Sequence, residues 1–73
     1  MNAREVVKRI RKVARIQRLD VDERLGKGSH RRYTVGDHCS TTVSWHPGDI
    51  PDGTLSKIEE QLQHCLGRDW LRR

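Results

Sequence analysis

The stretch Gly26-Lys27-Gly28-Ser29-His30 brings an imidazole to the end of a glycine-bracketed lysine, directly after a serine. Histidine has a reference pKa of about 6.5, so it can take up and return a proton near neutral pH. Arg24, Lys27 and Arg32 stand close by in the chain, and guanidinium and ammonium groups are the usual partners of phosphate oxygens. Ser44 adds a hydroxyl and His46 a second imidazole. A proton carrier among cations and hydroxyls describes a phosphate site. His46 is the better candidate for a second proton-transfer group; water is the alternative, and so is a plain loop-shaping role before Pro47. No carboxylate cluster that would hold magnesium lies near His30 in the sequence, so the expectation is chemistry without a metal or other cofactor. His38 reads as a turn residue and His64 as a helix-surface residue.

These groups act together only if the chain brings them to one surface. Leu19, Val21 and Leu25 mark one side of a first strand, with Glu23 an exception among them. Tyr33 and Val35 mark a second strand, and Cys39, Thr41, Val43 and Trp45 a third. Glycines at 26 and 28 allow the first turn, and Gly36-Asp37-His38 the second. Alternation turns Ser29, Arg31, Tyr33 and Trp45 inward, and His30, Arg32 and Thr34 outward. A turn centred on Asp37 sets Ser44 across from His30 and His46 across from Gly28. A turn centred on Lys27 sets Arg24 beside His30 from the other side, on the same outer face. Tyr33 and Trp45 are then core, not an exposed platform for stacking bases.

Helices flank the strands. Residues 2–17 carry Asn2 and Glu5 at capping-box spacing. Val6, Ile10, Val13, Ala14 and Gln17 share one side, while Arg4, Lys8, Arg11, Lys12 and Arg15 line the other. A membrane-surface helix can share this pattern, but the apolar side lacks the aromatic anchors of that class, so packing on a sheet is expected. After the break at residues 46–53 a second helix begins near Thr54, buries Leu55, Ile58, Leu62, Cys65 and Leu66, and stops at Gly67. The expected order is α-β-β-β-α, an α+β fold with a three-stranded antiparallel sheet and both helices on one face.

Composition narrows the class. The chain has 73 residues, one domain's worth, and a formal net charge of +5. Residues 1–35 hold eleven Lys or Arg against four Asp or Glu, whereas residues 36–73 hold four against six. A basic half points to a polyanion, nucleic acid being the commonest. No apolar run approaches the roughly 18 residues of a membrane span, and no signal-peptide pattern opens the chain. Cys39 and Cys65 allow one disulfide at most; in a charged chain without a secretory signal they read as buried thiols in a reducing cytoplasm. No C-x-x-C or H-x-x-x-H pairing supports a zinc site.

Gly28-Ser29-His30 after a first strand, followed by Thr42-Val43-Ser44-Trp45-His46-Pro47-Gly48-Asp49-Ile50-Pro51-Asp52-Gly53-Thr54-Leu55, resembles the HicA toxin family over residues 4 to about 66. The resemblance implies a double-stranded-RNA-binding-like fold, with His30 as catalytic residue of a bacterial or archaeal cytoplasmic endoribonuclease. It also implies messenger RNA as substrate and a HicB-like antitoxin protein as the partner that neutralises it. In RNA the adjacent 2′-hydroxyl can serve as nucleophile. The protein must then supply a base, an acid for the leaving 5′-oxygen and charge at the phosphate. Arg24, Lys27, Gly28, Ser29, Arg32 and Ser44 would surround that phosphate, and Lys8, Arg11, Lys12 and Arg15 would track others along the RNA.

The chain departs from the family in two places. Many members carry an aromatic residue where the first helix gives way to the first strand; Ala14-Arg15-Ile16-Gln17-Arg18-Leu19 has none. The tail, residues 67–73, extends beyond the shorter members. Its Trp70 and Leu71 either pack back on their own domain or supply apolar contacts to the antitoxin. Two other function classes remain: a non-catalytic RNA-binding module, and a basic module that docks an acidic protein.

Overall fold

Helix α1 (Ala3–Ile16) starts where the sequence says it should. The Asn2 side chain accepts from the Glu5 N–H at 2.9 Å, and Glu5 accepts from the Asn2 N–H at 3.1 Å. Each bond satisfies an N–H that the first helical turn would leave without a partner. Strands β1 (Val21–Leu25), β2 (His30–Val35) and β3 (Cys39–Ser44) follow, then helix α2 (Asp52–Leu66). This computed structural model describes residues 1–72; Arg73, the last residue of the tail, lies outside the described residues. The strands form one antiparallel sheet in the order β1-β2-β3. Both helices cover the same face of it, and the architecture is the expected α-β-β-β-α.

The core lies between helices and sheet. Val6, Ile10 and Ala14 of α1 meet Tyr33 and Val35 of β2, Val43 of β3, and Ile58 and Leu62 of α2, all essentially without solvent exposure. Among the described residues, the opposite face of the sheet has no covering layer. Among the described residues no helix is long and apolar enough to cross a membrane.

Two expectations are corrected, for the cysteines and Leu25, and the two alternatives for the tail are decided. Cys39 and Cys65 are not free thiols but a disulfide, with Cα atoms 6.2 Å apart. The reason is topological: α2 runs back along β3, so its last turn lies beside the first residue of that strand. Trp70 and Leu71 are buried, at 2% and 3% exposure, so they are not available as contacts for a partner. Trp70 Nε1 donates to the Glu59 carbonyl at 2.9 Å, and Arg9 Nε donates to the Trp70 carbonyl at 3.3 Å. These bonds clamp the tail to both helices. Leu25, expected on the inward side of β1, is 77% exposed because it lies at the far end of the edge strand.

Candidate functional site

On the uncovered face, side chains from the three strands form rungs. Gly36, at a positive φ of 61°, closes the β2–β3 turn around Asp37, and His30 faces Ser44 as the alternation predicts. The ladder runs one bond further, with the Trp45 N–H donating to the Ser29 carbonyl at 2.8 Å. The β1–β2 turn differs from expectation. It is centred on Gly28, whose φ of 61° suits glycine, and not on Lys27. Arg24 therefore faces Arg32, and His30 is met from β1 by Gly26, whose N–H donates to the His30 carbonyl at 2.8 Å. A Cβ at position 26 would come within 3.2 Å of that carbonyl oxygen, so glycine lets the edge strand close against His30. Arg24 keeps its predicted face but not its predicted neighbour.

The first rung is Gly26, His30 and Ser44; the second is Arg24, Arg32 and Thr42. Like charges at directly opposite positions on adjacent strands are unfavourable. Each finds partial relief away from His30. Arg24 Nε donates to Asp22 Oδ2 at 3.1 Å, and Arg32 Nη2 donates to Ser40 Oγ at 2.7 Å. Both contacts are exposed; the Arg24–Asp22 ion pair contributes little there, and the Arg32 contact is a hydrogen bond to a neutral hydroxyl. Neither guanidinium is locked in place by a buried partner. His30 itself is exposed, and so are Lys27 and Gly28 in the turn above it.

Beneath this face the rungs are backed by a partly buried polar chain. Trp45 Nε1 donates to Tyr33 Oη at 3.0 Å, and the Tyr33 hydroxyl donates to Glu23 Oε2. Glu23 also pairs with Arg31 at 3.6 Å and Arg11 at 3.9 Å, and the Arg31 guanidinium lies over the Trp45 ring at 4.5 Å. The Tyr33 hydrogen bond, then the two arginines, hold the Glu23 carboxyl below its ordinary value against partial burial. Burial, and then Glu23, push the Tyr33 phenol up, so it stays protonated as a donor. The charged residue that broke the apolar pattern of β1 is therefore the acceptor that orients an inward tyrosine. Its inward position was the available signal.

His46 lies just past Ser44, and Ser29 Oγ is 3.3 Å from its Nδ1. That contact ties the second imidazole to the residue before His30. Lys8, Arg11, Lys12 and Arg15 gather around one exposed groove on α1. The layering puts α1 and the sheet between that groove and His30, so the helix stripe and the sheet face are separate cationic surfaces. His38 and His64 are exposed and outside both. Sequence reasoning missed Gly26 as a neighbour of the site, because the β1–β2 turn centre decides who stands opposite His30; Thr42 opposite Arg32 follows from the Asp37-centred turn already expected. No family model, curated protein or solved structure matches this chain.

Proposed function

We propose that the protein is an endoribonuclease of the HicA toxin type, cleaving messenger RNA at the open sheet face with His30 as its proton-transfer residue. The observation that carries the reading is the pair of rungs: an exposed imidazole flanked by Gly26 and Ser44, next to two mutually repelling arginines. A scissile phosphate between the rungs would relieve that repulsion and place its leaving oxygen near His30. Arg24, Arg32 and Lys27 would stabilise the extra negative charge of the pentavalent state. His30 would move the proton, and His46, in contact with Ser29, would be the second proton-transfer group. The motif running from Gly28-Ser29-His30 to Gly53-Thr54-Leu55 supports the same assignment.

A cytoplasmic nuclease of this kind needs restraint. The economical inhibitor is a HicB-like protein whose carboxylates face Arg24, Lys27 and Arg32 and whose bulk covers His30. The deciding experiment incubates the purified chain and its His30→Ala variant with a long RNA and follows fragment length on a gel. Cleavage by the parent and none by the folded variant is the expected outcome. Cleavage by both removes His30 from the chemistry; cleavage by neither leaves a binding module.

A further inference from the structure

A pocket of about 240 Å³ opens where β3 ends, between the 46–51 loop and the first turn of α2. Its wall includes Ser44, the cross-strand partner of His30, and His46, held by Ser29. Pro47, Ile50 and Pro51 supply flat apolar surface, and Thr54 a hydroxyl. The loop is anchored and not loose: the Ile50 N–H donates to the Met1 carbonyl at 2.7 Å, and Asn2 bridges to Asp49. The volume falls below the roughly 300–1,000 Å³ of drug-sized ligand sites, which limits the occupant to one ring system. A second groove, sharing Thr54 with this pocket, continues past Arg32 and Lys57 along the free edge of β3. A slot of apolar surface with two hydroxyls and the Asp49 carboxylate, which can accept from a base's amino or imino group, adjoins a cationic track and matches a nucleobase attached to its sugar–phosphate chain. We propose that this pocket holds one base flanking the phosphate bound at His30, and that it sets sequence preference. The placement rests on the RNA-cleaving reading for the identity of the strand, but base capture does not require cleavage.

The test separates the two. The full chain carrying His30→Ala is titrated with RNA pentanucleotides of mixed sequence, each abasic at one position, while amide shifts of Gly48, Ile50 and Thr54 are followed by NMR. One abasic position should weaken binding about tenfold or more and leave the three amides unmoved, whereas the intact pentamer and those abasic elsewhere should bind within threefold of one another and move all three. Thr54→Phe, which fills the slot, should erase that positional effect; if this variant does not fold, the abasic scan still decides. Binding within twofold at every position, or shifts confined to the Arg24 and Arg32 amides, overturns the base pocket. RNA cleavage by the parent chain is scored separately. Cleavage without a positional effect refutes the pocket alone, and a positional effect without cleavage refutes the nuclease alone.

Discussion

His30 is an exposed residue whose removal leaves no cavity, so His30→Ala should change unfolding free energy by no more than about 0.5 kcal/mol. Its loss of cleavage would then be chemical, and urea denaturation beside the gel checks that separation. Arg32 makes a sharper case, since like charges opposite each other on adjacent strands are unfavourable. Arg32→Gln keeps most of the stem while removing the charge facing Arg24. It should leave stability unchanged or raise it by about 0.5 kcal/mol, yet weaken RNA binding and reduce the log–log salt slope by about 0.7. A clear loss of stability with unchanged RNA affinity would mean the pair is structural. Glu23 gives the pH dependence. Its carboxyl titrates below the ordinary range in the folded chain, so its contribution is present above that range and lost as pH falls through it. The urea midpoint should therefore decline on acidification, and less steeply in Glu23→Gln. Identical acid limbs would place the acid sensitivity elsewhere.

At the scale of elements, the sheet carries two faces with different duties. The covered face packs on the helices, and the open face presents the rungs. Strand periodicity of two made this legible, because Tyr33 and Val35 could only be core and His30 and Arg32 could only lie opposite. Cross-strand partners were half legible. Glycine at 36 gave the β2–β3 turn, but two glycines flank Lys27, and the turn uses Gly28 for its positive φ. Moving the centre by one residue moves each partner by two, so Arg24 stayed on its face while its neighbour changed from His30 to Arg32. Helix α1 presents its basic stripe on a different surface. Changing Lys8, Arg11, Lys12 and Arg15 together to Gln should weaken binding of long RNA, with a shallower salt slope. A pentamer that spans only the His30 face should be affected much less. Equal losses for both lengths, measured by fluorescence anisotropy across a salt series, would mean the stripe acts through net charge alone.

For the whole molecule, a domain of 73 residues has little core to spare, and the tail and disulfide enlarge what holds it together. The Cys39–Cys65 link spans 26 residues of sequence, and reducing it should lower stability by about 3 kcal/mol in the chain-entropy account. Trp70→Ala should cost about 3–5 kcal/mol, since it removes a large side chain buried to 2% exposure between the helices. Thermal unfolding with and without reductant, and of the variant, measures both. A midpoint indifferent to Trp70 would show that the tail merely rests on the surface.

By itself the sequence determined the element order, the helix cap at Asn2 and the two sheet faces, because capping and periodicity are local and each residue type decides them with its near neighbours. It also determined that His30 and Ser44 would meet, since a single tight turn carries that information. Only the tertiary structure decided that Arg24 faces Arg32, that Cys39 reaches Cys65, that Trp70 closes the core and that a pocket opens beside Ser44. Those facts depend on where distant segments come to rest, which is set by the summed packing of both helices on one sheet and by no single stretch of chain.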